Sequence, residues 1–257
     1  MTNHLAVDVA DGVLRVTFRR PEAFNALSEE MAAGLVAALD RAAVDDDIRV
    51  VAVTGSGPAF SAGADLTGDN PVEAFDEATM DGAATIARRI TGLAKPVVAA
   101  VNGVAAGVGA SICFAADLAV ATESASFLLA FSRIGLMPDG GSTLTVAAAV
   151  GRARAMRMAL LAEPITAREA YEAGLVSHLA PDEEFEATVE KVLRRLAAGP
   201  PVAFAATKKA VNAATLGGLE PALERERVGQ VVLFGTEDAA EGMRAFVQKR
   251  RPTFIGR

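Results

Sequence analysis

Apolar and polar residues alternate through Leu5–Val9 and again through Val13–Phe18, with Asp11-Gly12 between the two runs. A period of two around an Asp-Gly pair predicts a β-hairpin. The period then lengthens. Leu27, Met31, Leu35 and Leu39 recur every four residues, preceded by Ser28 as an N-cap and by Glu29 and Glu30 in the first turn. Acids there meet the positive end of a helix dipole, so a helix to about Ala43 is expected. Ile48–Thr54 is a short apolar run bounded by turn residues, which suits a strand covered on both faces.

The alternation continues. Glu73–Thr91 is amphipathic at helical spacing, Val97–Ala116 reads as strand, turn and helix, and Leu118–Ala121 reads as a further strand. Strands separated by crossover helices imply an α/β core with largely parallel pairing, and ligand sites in such sheets sit at loops leaving strand C-termini. Beyond Gly141 the period is helical: Thr143–Val150, then Ala153–Leu161, then a Thr166–Glu169 capping box opening a helix to Ala173. A strand-like Leu175–Leu179 follows. From Glu183 onward several helices are separated by Gly199-Pro200-Pro201, Gly217-Gly218 and Gly235. No Ser-rich or charged linker intervenes, so these helices are expected to pack on the core as an extension.

Composition narrows the function. A chain of 257 residues suits one large domain, or one domain with an appendage. With 51% apolar and 22% charged residues it has the balance of a folded globular protein. A net charge of −7 is the wrong sign for gripping nucleic acid. Cys113 is the single cysteine and lies in an apolar run, so a buried thiol, no intrachain disulfide and a reducing compartment are expected. The N-terminus has no basic segment resembling a secretion signal, and a cytoplasmic protein is expected. Pro96–Ala116 carries no charge over 21 positions, long enough to span a bilayer. Its Pro96, its Asn102 and its change from β-branched to Gly-punctuated residues favour strand, turn and buried helix, so no membrane partner is expected.

Much familiar chemistry is missing. The two histidines, His4 and His178, both fall in predicted strands, and neither sits in a loop beside a nucleophile. No Cys pair and no His pair at helical spacing offers a zinc site, so no metal is expected. Gly107-Val108-Gly109 starts like a dinucleotide fingerprint, but Ile112 stands where the third glycine belongs. What remains are two turns of small residues, Phe60–Leu66 and Asn102–Gly109, each predicted to follow a strand. Such turns let a ligand approach main-chain amides, and two outward N–H groups can share one oxyanion. Tight turns without function have the same composition.

Particular blocks go further: Ala59-Phe-Ser-Ala-Gly-Ala-Asp-Leu66, Lys95–Gly109, Ala116-Asp117, Ile134–Gly141, Glu172–Val176, and the flanking Arg20–Leu27 and Thr236–Phe246. In this order they resemble the crotonase, or enoyl-CoA hydratase/isomerase, superfamily nearly end to end. The resemblance implies an α/β fold with a crotonase-like ββα-repeat core over residues 1–195 and a C-terminal helical oligomerisation region over 196–257. It implies a homotrimer or homohexamer, an acyl-CoA thioester as substrate, and no cofactor.

By position, the family's oxyanion donors fall on the main-chain N–H groups of Ala64 and Val108. Ala23 and Phe24 resemble the segment flanking the adenine, and Ala62, Asp65 and Leu66 resemble the loop gripping the rest of CoA. The two hydratase glutamates align with Ser111 and Phe131, neither of which is a base at neutral pH, and Phe131 suits a pocket or core wall. Asp139 lies where some isomerases and aryl-CoA dehalogenases of the superfamily carry a catalytic aspartate. Its apolar surroundings predict a raised pKa, while Pro138-Asp139-Gly140-Gly141 equally suits a helix cap. The basic run Lys249–Arg251 suits either CoA phosphates or solvent. Enoyl-CoA isomerisation is therefore expected, with a silent acyl-CoA binder and an atypical hydratase as alternatives.

Overall fold

A computed structural model describes residues 4–66 and 77–257; residues 67–76, where the expected helix at Glu73 would begin, lie outside the described residues. Strands β1 (Leu5–Ala10) and β2 (Val13–Phe18) pair antiparallel, with Leu5 opposite Phe18 and Ala10 opposite Val13. Asp11 and Gly12 both take positive φ, 52° and 76°, the left-handed pair that a two-residue type I′ hairpin turn requires. His4 stands in the turn ahead of β1, not within it. A short 3-10 turn at Pro21–Ala23 leads to α1 (Glu29–Val44), whose Ser28 cap accepts the Met31 N–H and whose Met31, Leu35 and Leu39 are buried.

Three ββα units follow. The first is β3 (Val50–Gly55), β4 (Ala59–Ser61) and α2 (Glu77–Gly92); the second is β5 (Val97–Val101), β6 (Val104–Ala106) and α3 (Val108–Ala115). The third is β7 (Leu118–Thr122), β8 (Ser126–Leu128), a 3-10 turn at Ala130–Ile134, and α4 (Ser142–Leu161). The chain continues through β9 (Ile165–Thr166), α5 (Ala167–Glu172), β10 (His178–Ala180), α6 (Phe185–Ala197), α7 (Pro201–Thr215), α8 (Leu219–Phe234) and α9 (Glu237–Val247). The longer strands form one sheet in the order β1-β2-β3-β5-β7-β10, parallel from β2 to β10. The second strand of each unit goes to a separate sheet, β4-β6-β8-β9. Three-residue strands are too short to show a period, which is why β4, β6 and β8 are not legible in the sequence.

The central strands of the large sheet are buried on both faces, whereas edge strand β1 has Val7 41% exposed. On one side Val13, Val50, Val98 and Val120 meet Phe185, Val189 and Leu193 of α6. On the other, Leu14, Val16, Val51, Val53, Ala99 and Ala121 pack with α1, α2 and α3. That accounts for the uniformly buried β5. Helix α4 is broken at Gly151 (φ 75°, ψ 164°), dividing it at the point between the two helices expected from sequence. The capping box at Thr166 and Glu169 is formed.

One expected strand is displaced. The N–H groups of Leu175 and Val176 donate to Ala170 O, closing the end of α5, and the strand ladder begins only at His178. Helix α6 runs past residue 195 to Ala197, and α7, α8 and α9 are the elements that follow it. Lys208 ties α7 to the core: its Nζ donates to Asp117 Oδ2 and Ile90 O at 2.7 Å each, and to Lys95 O at 3.2 Å. Among the described residues no helix is long and apolar enough to cross a membrane.

Candidate active site

The two small-residue turns come together because β4 and β6 are parallel neighbours. Leu27 N donates to Gly63 O at 2.7 Å and Asp65 N to Leu27 O at 3.1 Å, a parallel bridge between Leu27 and Ala64. This pairing turns Ala64's own N–H to the opposite side, where it has no partner among the described residues. Across from it, Gly107 is the N-cap of α3, with φ 52°, and Val108 is the first helical residue. Its N–H is one of the donors that a helix start leaves free. The turns are in contact: a Cβ on Gly63 would fall 2.9 Å from Ala106 O, and one on Gly109 would fall 2.6 Å from Ser61 O. Gly63 itself sits at φ 100°, a backbone that a side chain would strain.

Asn25 holds the first turn and was given no role from sequence. Fully buried, it donates from Nδ2 to Ala59 O (2.7 Å) and Ser56 O (2.9 Å) and accepts the Arg20 N–H at Oδ1 (2.8 Å). Its carbonyl accepts the Ser61 hydroxyl, and Ser61 Oγ accepts the Gly63 N–H. The available signal was residue type, since asparagine tolerates the left-handed φ of 55° adopted here.

The residues matched to CoA contacts form a rim beside this turn. Phe24 is 52% exposed, Ala62 is exposed and donates its N–H to Phe24 O at 2.9 Å, and Ala23 is half-buried. Asp65 forms an ion pair with Arg20 (2.6 Å), lacing the 20–27 segment to the turn, and Leu66 is buried. In the basic run, Arg250 is held by Glu241 through both carboxylate oxygens.

Ser111 and Phe131, at the aligned glutamate positions, are both buried. Ser111 Oγ donates to Asp139 O at 2.8 Å, which draws the Leu136–Gly141 segment against α3, and Phe131 packs in the core. Val108, Ser111 and Gly140 line one small cleft with Ala83, Ile86 and Ala87 of α2. Val108 and Ser111 therefore share one cleft, to which the Asp139 main chain is tied through Ser111, whereas Phe24 and Ala62 are exposed.

Asp139 does not cap α4, contrary to one of the sequence readings. The cap position belongs to Gly141, and the free N–H groups of the first turn go to the Glu226 carboxylate of α8: Gly141 N at 2.8 Å and Thr143 N at 3.0 Å. The glutamate is longer, arrives from another helix and occupies the space a capping aspartate would need. Asp139 Oδ2 instead accepts from Gln230 Nε2 at 3.0 Å, and Oδ1 is enclosed with no partner among the described residues. Burial pushes the Asp139 pKa up to about 7, opposed by the Gln230 hydrogen bond and reinforced by the negative field of Glu226. Glu226 and Gln230 were not picked out from sequence. The signal was present: Ala222, Leu223, Glu226 and Gln230 make one buried stripe of α8 at helical spacing, with two polar residues in it.

The family described as "Enoyl-CoA hydratase/isomerase" matches residues 8–257. The 1,2-epoxyphenylacetyl-CoA isomerase of Escherichia coli (strain K12) is 38% identical over 263 residues, covering 100% of both chains. The 2,3-dehydroadipyl-CoA hydratase of the same strain is also 38% identical, over 99% of this chain and 100% of its own. An enoyl-CoA hydratase from Mycobacterium avium subsp. paratuberculosis K-10 has a similar structure, with a TM-score of 0.91 and 48% identity over 99% of this chain and 100% of that one.

Proposed function

Because the chain belongs to the enoyl-CoA hydratase/isomerase family, we propose that it isomerises an enoyl-CoA thioester, with Asp139 as the single acid/base. The observation that carries this reading is the state of that carboxylate. The Asp139 main-chain oxygen accepts from Ser111, which lines the cleft together with Val108, and its carboxylate keeps one enclosed oxygen without a partner among the described residues and has its pKa pushed up to about 7. A group poised near neutrality can take and return a proton. The Ser111 hydroxyl is spent on a carbonyl and Phe131 has no acid, so the two-glutamate route to hydration has no base at either place.

The steps follow. The thioester oxygen accepts the N–H groups of Ala64 and Val108, and Oδ1 of Asp139 removes a proton from C2 of a 3-enoyl chain. The electron pair spreads over C2, C3, C4 and the thioester oxygen as a dienolate. Its charge is held by the two donors, each worth about 10²- to 10³-fold in rate. The carboxyl then returns the proton at C4, leaving the double bond at C2 with no change in mass. The site needs no cofactor for this step.

The relatives include an isomerase and a hydratase, so product identity is the test. With 2-enoyl-CoA and 3-enoyl-CoA as substrates, isomerisation leaves the mass unchanged and moves the chromatographic peak, whereas hydration adds the mass of one water. Asp139→Asn is expected to abolish turnover and leave CoA-ester affinity nearly intact. Unchanged turnover in that variant removes Asp139 from the chemistry, and a wild-type protein that binds but converts neither substrate is a silent acyl-CoA binder.

We further propose that the C-terminal helices assemble the chain into a homotrimer or homohexamer. Val202, Val232 and Phe246 of α7, α8 and α9 are 82%, 66% and 60% exposed, an apolar surface that self-association would cover. Sedimentation at micromolar concentration checks it; a monomer refutes it.

A further inference from the structure

Helix α8 belongs to the C-terminal region, yet it places two polar side chains four residues apart against the Asp139 segment. Gln230 is fully buried, and its carboxamide is fixed at both ends: Nε2 donates to Met137 O at 2.8 Å and to Asp139 Oδ2 at 3.0 Å, and Oε1 accepts the Met137 N–H at 3.4 Å. Bonds to both main-chain groups of Met137 settle which end of the amide faces the carboxylate, because only the NH₂ end can donate to Met137 O. Glu226, one turn earlier, is 1% exposed and binds Gly141 N, Thr143 N and Thr143 Oγ1. The helix approaches closely because Gly229 lies between them: a Cβ there would fall 2.3 Å from Met137 Sδ.

Resting on the reading of Asp139 as the acid/base, we propose that Gln230 is a positioning residue that holds Oδ2 and so assigns proton transfer to Oδ1. Glu226 is its electrostatic counterweight. The Gln230 N–H stabilises the ionised carboxylate, and the Glu226 charge opposes it. The two therefore pull the titration of Asp139 in opposite directions. Among the described residues, Glu226 is the charged group whose field reaches Asp139; Ser111 from α3, Ser142 from α4 and the Ala83–Ala87 face of α2 contribute no charge.

The test is the pH dependence of kcat/KM in two variants of the full-length protein. Gln230→Met keeps the side-chain length and removes the donor. The acidic limb, set by ionisation of Asp139, is expected to move alkaline by about one pH unit, so that activity below the limb falls about tenfold and recovers at higher pH. Glu226→Gln is expected to move the same limb to lower pH. KM for the thioester stays within about twofold in both, since neither residue touches the substrate. A merely structural role for Gln230 predicts instead a loss of kcat that is equal at every pH, with the limb unmoved, and that result overturns the proposal.

Should either variant be inactive, the γ-carboxyl ¹³C shift of Asp139 in labelled protein reads the titration directly, with Asp139→Asn identifying the resonance. An Asp139 titration identical in wild type and Gln230→Met also overturns the proposal. Failure of the underlying reading has a different signature, namely an Asp139→Asn variant that still turns over.

Discussion

Replacing Gly109 by alanine adds one methyl group at the seam between the two turns. The new Cβ would stand 2.6 Å from Ser61 O, 2.7 Å from Ser61 Cβ and 2.9 Å from Ser61 Oγ. Ordinary contact begins near 3.4 Å, so the seam must open by 3.4 − 2.6 = 0.8 Å. Ser61 has little room to yield, because it is buried, donates to Asn25 O at 2.9 Å and accepts from Gly63 N at 3.2 Å. The movement falls on α3 and carries the Val108 N–H with it. A donor placed about 0.8 Å too far from a shared oxyanion is lost as a hydrogen bond, which costs about 10²- to 10³-fold in kcat.

Stability changes much less. Alanine gains about 1 kcal/mol of helix propensity over glycine, and overpacking costs about 1–3 kcal/mol, leaving a net loss of about 0–2 kcal/mol. The expected signature is a collapsed kcat with a nearly unchanged melting curve, measured by steady-state turnover and thermal unfolding. Gly34→Ala is the control. Its Cβ would lie 2.5 Å from Leu5 Cδ2, the mobile end of a side chain remote from the cleft, so activity is expected to be unchanged. A Gly109→Ala enzyme with wild-type kcat would refute the claim that the mutual placement of these two turns sets the rate.

Two further outcomes follow from the site. Between about pH 4 and 7 the folded protein keeps Asp139 protonated while the unfolded chain ionises it. The folded state then binds the extra proton, and stability falls as pH rises through that window and levels above it. In urea unfolding from pH 5 to 8, Asp139→Asn should become more stable relative to wild type as pH rises, by an amount on the order of a few kcal/mol; parallel curves would contradict the raised pKa. Asn25→Ala removes three side-chain hydrogen bonds, one buried and two partly buried, and puts alanine at a left-handed φ of 55°, so a loss of about 2–4 kcal/mol in urea unfolding is expected, and a loss below about 1 kcal/mol would show that the turn is held elsewhere.

Elements whose burial is periodic were legible in the sequence. The Asp11-Gly12 hairpin, the Ser28-capped helix, the buried β5 and the break in α4 at Gly151 each leave a local mark of spacing or residue type. The second sheet did not, because a three-residue strand such as β4 has no period and is held by its neighbours. The same division runs through the site. The turns at Ala64 and Val108 and the acid at Asp139 were found from local composition and resemblance. Gln230 and Glu226 act across more than eighty positions of chain, and the sequence showed them only as polar residues in a buried helical stripe. Asp139 offered two roles to a reader of the sequence. Geometry removed one of them, the side-chain cap, because α8 supplies a longer acid to the helix start.

The pairing of β4 with β6 has a consequence for how such a pocket can diversify. Neighbouring strands lie about 4.8 Å apart, and two nitrogens at that spacing, each about 2.9 Å from one oxygen, subtend about 112° at it, near the angle between carbonyl lone pairs. On the proposed reading of Ala64 and Val108, the ladder would serve as a ruler for the polar grip. Because the proposed grip is built from peptide groups, side chains at positions 64 and 108 other than proline would preserve it as long as Gly63 and Gly109 keep the seam closed, and the walls around it could be recut for acyl groups of other shapes while the electrostatic anchor keeps its calibration.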